Sequence, residues 1–259
     1  MVDPLGFAGK RVVVTGCASG IGHATASLLV QAGAEVHGID LHPSDLSLAA
    51  FSKVDLGAPV SIDTLGFEGR LDALFNCAGM SPTRPAAEIV RVNFLGTRYL
   101  TQKLVDHMSV GSAIVNVSSN GGARWRNRRS DLLAFVDTVS FAEGVSWFDT
   151  HRLAIPNGYA FSKEALIVWT LQQSQSLIRR GIRINATSPG AVQTPMLVDI
   201  ETRVPGEVID AVAQPIGRRS TPVEQAWPLL MLASDAAAYI NGVDLAVDGG
   251  WAAGMMLGD

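Results

Sequence analysis

The sequence predicts an α/β protein built on a doubly wound parallel sheet of about seven strands, with helices on both faces. Short runs rich in valine and isoleucine alternate with helical patterns along most of the 259 residues, and this alternation favours a parallel sheet. A glycine-rich segment lies between the first run and the first helical pattern. Polar residues follow several runs, and in a parallel sheet such residues meet at one edge.

Composition narrows the class of protein. With 47% hydrophobic and 17% charged residues, the chain can bury a large core as a single domain spanning residues 1–259. A net charge of −4 argues against a nucleic-acid partner. No apolar run is long enough to span a bilayer, and Met1–Pro4 does not resemble a signal peptide, so a cytoplasmic protein is expected. Cys17 and Cys77 lack metal-ligand spacing, which predicts free thiols and no metal site.

The first strand is predicted at Lys10–Thr15, followed by a glycine loop at Gly16–Gly22 and a helix from His23 to Ala32. This order is typical of a pyrophosphate site. Glycines let the backbone approach the phosphates closely, and the helix N-terminus attracts their charge. A glycine turn that only packs a strand on a helix is the alternative interpretation.

The second predicted strand, Glu35–Asp40, ends at an acidic residue 18 positions after Gly22. A carboxylate at this point accepts hydrogen bonds from the adenosine ribose hydroxyls and repels a 2′-phosphate. Neither Gly16–Gly22 nor Leu41–Pro43 contains a lysine or arginine that would compensate that phosphate. The pattern therefore favours NAD over NADP, whereas an exposed Asp that merely ends a strand would indicate no preference.

The remaining strands place further polar residues at the same edge of the sheet. They are predicted at Phe51–Leu56, Leu71–Asn76, Gly111–Ser119, Ile182–Thr187 and Val243–Val247. Asp55 and Leu56, which end the third strand, are expected beside the adenine. A helical segment is predicted to open at Asn93 and to reach Met108. Asp40, Asn76 and Ser119 should converge with the glycine loop, because ligands bind beyond the carboxyl ends of such strands.

Tyr159 and Lys163 lie near the start of a predicted helix that extends through Leu177. Residues four apart share one helix face. An ammonium there would lower the pKa of the phenol, which suits a general acid–base that exchanges a proton with an alcohol or carbonyl oxygen. The spacing alone also occurs by chance on many solvated helix faces.

Two segments around this helix break the alternation of strands and helices. Residues 120–158 are expected to pack through their aromatic side chains and to wall the site. Their arginines are expected on the surface, in ion pairs with Asp131 and Asp137 rather than in an acidic-ligand site: Arg124, Arg126, Arg128 and Arg129. Residues 191–218, with three prolines and several charges, are predicted to form a lid over a ligand.

Several motifs together carry a resemblance to a known family. They are Thr15-Gly16-x-x-x-Gly20-Ile21-Gly22, Asn76-x-Ala78-Gly79, Asn93, Ser119, Tyr159-x-x-x-Lys163 and Pro189-Gly190 with Thr194. In this order, and over essentially its whole length, the chain resembles the short-chain dehydrogenase/reductase family. Cys77 stands where the family usually has a second Asn, a departure that should cost little because the first Asn and the Ala-Gly pair are kept.

The resemblance implies a Rossmann fold, bound NAD and a catalytic set. Tyr159 would be the acid–base group, and Lys163 would lower its pKa and bind the nicotinamide ribose. Ser119, rather than Ser118, would hold the substrate oxygen, and Asn93 would hold a water in the proton relay. The cofactor-binding residues implied are Gly16, Ser19, Gly20, Ile21, Gly22, Asp40, Leu41, Asp55, Leu56, Asn76, Ala78, Gly79, Tyr159, Lys163, Pro189, Gly190, Val192 and Thr194.

The interval between Ser119 and Tyr159 is 40 residues, far longer than in most family members. A similar insertion occurs in the bacterial branch that contains 3α-hydroxysteroid dehydrogenase/carbonyl reductase and the coniferyl-alcohol dehydrogenases. The resemblance therefore implies an NAD-dependent oxidoreductase that interconverts an alcohol with its ketone or aldehyde, on a coniferyl-alcohol-like or hydroxysteroid substrate. The alternatives are an NADPH-dependent 3-oxoacyl-thioester reductase and a non-catalytic dinucleotide sensor.

Family members commonly form homodimers or homotetramers, so a homo-oligomer is also implied. The helices that carry Asn93 and Tyr159 commonly pair between subunits. On the second of these helices, Leu166 and Trp169 are expected on the exposed side.

Overall fold

A computed structural model describes residues 5–212 and 215–258. Met1–Pro4 and the predicted lid residues 213 and 214 lie outside these ranges. Within them, seven parallel strands form one sheet in the order β3-β2-β1-β4-β5-β6-β7. The strands are β1 (Arg11–Thr15), β2 (Glu35–Asp40), β3 (Ala50–Lys53), β4 (Leu71–Asn76), β5 (Met108–Val117), β6 (Arg183–Pro189) and β7 (Asp244–Val247). The predicted doubly wound, Rossmann-like sheet is confirmed.

The helices alternate with these strands, apart from two pairs inserted around the active edge. They are α1 (Gly20–Gln31), α2 (Pro59–Asp63), α3 (Ala86–Val90), α4 (Thr97–Leu104), α5 (Arg129–Val136), α6 (Phe141–His151), α7 (Gly158–Leu177), α8 (Pro195–Glu201), α9 (Gly206–Val212), α10 (Pro222–Ala233) and α11 (Trp251–Leu257). A π-helical turn, Arg91–Gly96, joins α3 to α4. No helix in the described part of the chain has both the length and the apolar character needed to cross a bilayer.

Several predicted boundaries shift. Strands β2 and β4 match their predicted ranges, but β3 ends at Lys53, so Asp55 and Leu56 lie in the following loop. The Asp55 carboxylate accepts a hydrogen bond from the Gly57 amide, which closes a turn and ends the strand. The helix predicted to open at Asn93 begins earlier, at Ala86, and Asn93 lies inside the π-helical turn.

The sheet separates two hydrophobic layers, because successive side chains of a strand point to opposite faces. Val12 and Val14 of β1 pack with α1 and α10, whereas Val13 packs with α4 and α7. The order of the strands reverses between β1 and β4: β2 and β3 are added on one side of β1, and the later strands are added on the other side. The crevice at this switch point opens at the carboxyl ends of the strands.

Residues 120–158 fold back on the π-helical turn and on α7. The Phe135 ring lies 5.0 Å from the rings of Phe94 and Phe161, and 5.1 Å from that of Trp147, between ring centroids. The buried Arg98 of α4 donates hydrogen bonds to the carbonyl oxygens of residues 136, 138 and 140. The expected aromatic packing of this segment is therefore confirmed.

Two expectations about this region are wrong. The Arg128 guanidinium pairs with the buried Glu164 carboxylate of α7 at 3.4 Å, and Asp137 instead accepts a hydrogen bond from Gln172. Leu166 and Trp169 are only 1% and 3% exposed, because the inserted helices and the π-helical turn cover that side of α7. The face expected to meet another subunit is thus covered within the chain itself.

Candidate active site

A cleft of about 700 Å³ lies at the carboxyl ends of β1, β2, β4, β5 and β6. The glycine loop and α1 form one wall, and the start of α7 forms another. No residue of the segment 120–158 lines the cleft, so the expectation that this segment walls the site is wrong; it packs on α7 and on the π-helical turn instead. Helix α8 lies across the cleft. The part of the cleft next to this helix is called the α8 end, and it is lined by Met80, Ser81, Arg84, Glu88, Val92, Met196, Leu197, Asp199 and Ile200.

The glycine loop leaves no room for side chains at two positions. A Cβ on Gly22 would lie 2.2 Å from the Gly16 carbonyl oxygen, and a Cβ on Gly16 would lie 2.9 Å from the backbone of Ala78. Ser19 precedes α1 without capping it through its side chain, and the first turn of α1 contains no acidic residue. The amides that open α1 therefore face the cleft as donors for an anion, as a pyrophosphate site requires.

Asp40 ends β2 at the rim of the cleft, and its carboxylate binds the glycine loop and the loop after β2. One carboxylate oxygen accepts a hydrogen bond from the Ala18 amide at 3.0 Å, and the other accepts one from the His42 amide at 3.0 Å. These bonds orient the carboxylate beside the glycine loop. A negative charge held there suits ribose hydroxyls and disfavours a phosphate.

Tyr159 and Lys163 lie in the first two turns of α7. The Asn157 side chain caps this helix by accepting a hydrogen bond from the Ala160 amide at 2.9 Å. The Lys163 ammonium lies 5.7 Å from the centre of the Tyr159 ring and donates a hydrogen bond to the Val117 carbonyl oxygen at 2.8 Å. The end of β5 thereby holds the ammonium beside the phenol.

The protonation of this pair differs from the sequence prediction. Loss of solvent around the hydroxyl raises the pKa of Tyr159, and a hydrogen bond with Ser119 opposes this rise. Burial lowers the pKa of Lys163 from 10.5 to about 8, against a smaller opposing influence of Cys77. The expected lowering of the phenol pKa is therefore wrong for the chain by itself, because desolvation outweighs the hydrogen bond with Ser119.

The two serines after β5 are clearly distinguished by their partners. The Ser118 hydroxyl donates to the Lys163 carbonyl oxygen at 3.0 Å and so faces the backbone of α7. Ser119 caps a short 3₁₀ turn by accepting from the Gly121 amide at 3.1 Å, and its hydroxyl lies within hydrogen-bonding reach of Tyr159. Of the two, Ser119 is thus placed to contact a substrate oxygen.

Two predicted residues, Asn76 and Asn93, do not line the cleft. The Asn76 amide is buried and donates to Thr101 at 3.0 Å and to Asn116 at 2.8 Å, so it ties β4 to its neighbours. The Asn93 amide accepts from the Met80 amide at 2.6 Å and donates to the Met80 carbonyl. Because this side chain is engaged with the Met80 backbone and with Ser162, the water-holding role implied for Asn93 stays a prediction.

The other predicted site residues all line the cleft: Gly16, Ser19, Gly20, Ile21, Gly22, Asp40, Leu41, Asp55, Leu56, Ala78, Gly79, Ser119, Tyr159, Lys163, Pro189, Gly190, Val192 and Thr194. Sequence reasoning missed His42 and the segment Met80–Arg84. The position of that segment, directly after the Ala-Gly pair that ends β4, was the available signal. Among the described residues, no cluster of His, Cys, Asp and Glu side chains is placed to hold a metal ion.

The groups lining the cleft fit a nicotinamide dinucleotide. The uncapped start of α1 and the closely packed glycines suit the pyrophosphate, and Asp40 suits a ribose. Tyr159, Lys163 and Ser119 gather around one point where a hydroxyl or carbonyl oxygen can be bound and a proton exchanged.

Comparison with known proteins agrees with this geometry. The family profile described as short chain dehydrogenase matches residues 10–130, and the one described as enoyl-(acyl carrier protein) reductase matches residues 146–252. The chain is 37% identical to a coniferyl-alcohol dehydrogenase of a Pseudomonas species over 246 residues, which cover 94% of this chain and 96% of that protein.

Two further relatives concern hydroxysteroids. A 3-alpha-hydroxysteroid dehydrogenase/carbonyl reductase of Comamonas testosteroni is 31% identical, covering 92% of this chain and 95% of that protein. The crystal structure of a Pseudomonas 3-alpha-hydroxysteroid dehydrogenase complexed with NADH is 29% identical, with a TM-score of 0.81 over 96% of this chain and 100% of that chain. The chain therefore belongs to the short-chain dehydrogenase/reductase family of oxidoreductases.

Proposed function

We propose that this protein is an NAD-dependent oxidoreductase that interconverts an alcohol with its ketone or aldehyde. The observation that carries the proposal is the gathering of Ser119, Tyr159 and Lys163 in the same cleft as the glycine loop and Asp40. The preferred substrate is a ring-bearing secondary or allylic alcohol of the coniferyl-alcohol or hydroxysteroid type.

The proposed chemistry divides the work between the chain and its cofactor. When bound, the nicotinamide accepts the hydride in alcohol oxidation and donates it in carbonyl reduction. Tyr159 accepts the hydroxyl proton of the alcohol or returns it to the carbonyl oxygen. Ser119 donates a hydrogen bond to that oxygen as its charge changes. Lys163 holds the ribose beside the phenol, and Asn93 fixes the Met80 backbone against α7.

The raised pKa of Tyr159 affects which direction of the reaction, reduction or oxidation, the side chain is ready for. A protonated phenol is ready to donate to a carbonyl oxygen, whereas oxidation needs the phenolate. A positive charge next to the hydroxyl favours the phenolate, and Lys163 supplies one while its own pKa of about 8 keeps it largely protonated at neutral pH. We therefore propose that Tyr159 transfers the proton and that the charge of Lys163 makes its phenolate accessible for oxidation.

The α8 end supports an apolar, ring-bearing substrate. Five of its side chains are apolar: Met80, Val92, Met196, Leu197 and Ile200. Thioether side chains adapt to flat or curved apolar surfaces. The coniferyl-alcohol and hydroxysteroid enzymes among the relatives support the same substrate class.

The preference for NAD rests on Asp40. Its carboxylate is held in place by two backbone amides and would lie against a 2′-phosphate, as argued from the sequence. A relative of known structure is complexed with NADH. The alternative, an NADPH-dependent 3-oxoacyl-thioester reductase, would use the same Ser119, Tyr159 and Lys163. However, the Asp40 carboxylate would repel the 2′-phosphate of its NADPH.

We also propose that the chain forms a homo-oligomer through surfaces other than the α4–α7 face, because that face is covered by the inserted helices. Light scattering of the purified protein tests this proposal. A mass of one chain would contradict it.

The function is tested by initial rates with NAD and NADP, each with coniferyl alcohol and with a 3α-hydroxysteroid. We expect NAD-dependent turnover of one of the two alcohols. Activity confined to NADP, accompanied by reduction of a 3-oxoacyl thioester, would replace the proposal with the alternative. NADH binding without turnover of these alcohols or their carbonyl counterparts would favour the dinucleotide sensor.

A further inference from the structure

We propose that Asp199 is a latch residue: it fastens α8 to the loop after β4 and so holds this helix over the cleft where the ligands bind. The proposal rests on the proposed function, because it assigns α8 to the control of dinucleotide and substrate exchange. Asp199 acts by positioning α8, and no chemical step is assigned to it.

The N-terminal end of α8 contacts the side of the cleft where the dinucleotide would bind. Thr194 caps the helix by accepting from the Leu197 amide at 3.3 Å. A Cβ placed on Gly20 would lie 3.1 Å from the Thr194 methyl group, so the start of α8 touches the start of α1. The Met196 methyl group would lie 3.8 Å from a Cβ on Gly79, so the first turn of α8 also passes over the end of β4.

The other end of α8 is fastened across the cleft. The Thr83 hydroxyl donates a hydrogen bond to the Asp199 carboxylate over 116 residues of sequence. Ser81 supports Thr83, since the two hydroxyl oxygens lie 3.0 Å apart and the Thr83 amide donates to Ser81 at 3.3 Å. Thr83 is only 9% exposed, so water competes little for its hydroxyl.

The electrostatics strengthen this connection. Hydrogen bonds from Ser81 and Thr83 lower the pKa of Asp199, and the charges of Arg84 and Arg203 act in the same direction. The carboxylate therefore keeps its charge throughout the neutral range. Hydrogen bonds to a charged acceptor are stronger than bonds between neutral groups.

The two contacts together hold α8 over the cleft. Helix α8 rests on the α1 side through Thr194 and is tied to the β4 side through Asp199, and several of its side chains line the space between them. The cleft is open to solvent, and separation of α8 from Thr83 would widen the path by which a dinucleotide or an alcohol enters and leaves it. Breaking the latch should therefore speed ligand release and weaken the hold on the substrate.

The test compares Asp199→Ala with Thr83→Val, which replaces the hydroxyl by a methyl group of similar size. Stopped-flow fluorescence measures the dissociation of NADH, or of NADPH if only that dinucleotide binds. We expect dissociation about tenfold faster in Asp199→Ala and a smaller increase in Thr83→Val, because Ser81 still donates a hydrogen bond to Asp199 in the second variant. The double variant should be no faster than Asp199→Ala, and KM for the alcohol should rise more than kcat falls.

Val198→Ala is the matched control, because it shortens a 64% exposed side chain on the same helix without touching the latch. Asp199→Asn should give an intermediate rate, since its amide oxygen still accepts from Thr83 without the charge. Unchanged dissociation in Asp199→Ala, or the same increase in Val198→Ala, would overturn the latch. Faster dissociation without turnover of any alcohol would support the latch and contradict only the proposed function. If neither dinucleotide binds, both proposals fail.

Discussion

Replacing Lys163 by methionine should change the free energy of unfolding, relative to the wild type, more favourably at neutral pH than at high pH. Lys163 is 5% exposed, and burial lowers the pKa of its ammonium from 10.5 to about 8. A buried charge costs free energy, and methionine fills a similar volume without one. If Lys163 has the proposed role, it lowers the stability of the folded chain at neutral pH, as is common for residues selected for chemistry.

The size of the effect follows from the pKa. A fall from 10.5 to about 8 corresponds to about 3 kcal/mol of destabilisation at about 1.4 kcal/mol for each pKa unit. Below pH 8 the lysine is protonated in both the folded and the unfolded chain, so this cost is fully present. Between pH 8 and 10.5 the unfolded chain binds more protons than the folded one, so stability rises with pH and the cost disappears.

Methionine also loses the hydrogen bond to the Val117 carbonyl oxygen, and that loss acts at every pH. The informative quantity is therefore the change with pH. The free energy of unfolding of Lys163→Met, relative to the wild type, should fall by about 2–3 kcal/mol between pH 7 and pH 10.

Urea unfolding of the dinucleotide-free proteins at the two pH values measures this change. Lys53→Met, at an exposed position at the end of β3, is the control and should show no comparable change. If the difference between Lys163→Met and the wild type were the same at pH 7 and pH 10, the ammonium would not be buried at a cost. The argument for a desolvated Tyr159–Lys163 pair would then be refuted.

Three further predictions concern the cofactor and the phenol. Asp40→Asn removes the charge opposed to a 2′-phosphate, so the ratio of kcat/KM for NAD to that for NADP should fall by about tenfold or more; an unchanged ratio would contradict the assignment. Gly22→Ala places a Cβ 2.2 Å from the Gly16 carbonyl oxygen, so NADH titration should show at least a roughly tenfold loss of affinity, and wild-type affinity would disprove the tight loop. In the dinucleotide-free chain, ultraviolet titration should show that Tyr159 ionises at higher pH than a free tyrosine, because its pKa is raised; a band that appears near pH 8 and is lost in Tyr159→Phe would contradict this.

Local sequence patterns predicted much of the fold and the site because their information lies within short segments. The valine-rich strands, the glycine loop and the four-residue spacing of Tyr159 and Lys163 each depend on neighbours in the chain. The parallel sheet then brings their ends together by a general rule of such folds. The placement of Asp40 and Ser119 at the cleft follows from this rule.

The errors concern contacts between distant segments. Helix α7 is apolar on nearly every side, so its periodicity does not reveal that Leu166 and Trp169 face the insertion. The pairing of Arg128 with Glu164 and of Thr83 with Asp199 joins residues from separate parts of the chain. Such tertiary contacts leave no local pattern.

The two asparagines illustrate a second limit. Motif position suggests that Asn76 and Asn93 face the cleft, but the Asn76 amide nitrogen and both ends of the Asn93 amide form hydrogen bonds away from it. A motif identifies where a residue lies in the chain, whereas the direction of its side chain depends on which buried polar groups need partners.

The most direct test of the account is the effect of Tyr159→Phe on NAD-dependent oxidation of the alcohol that the wild type turns over. This change removes the proton-accepting hydroxyl and keeps the ring. Tyr239→Phe is the matched control, since that side chain is fully exposed. The account predicts that Tyr159→Phe loses at least about 99% of kcat, the contribution typical of a general base, while its affinity for NADH stays near that of the wild type. Full activity in Tyr159→Phe would contradict it.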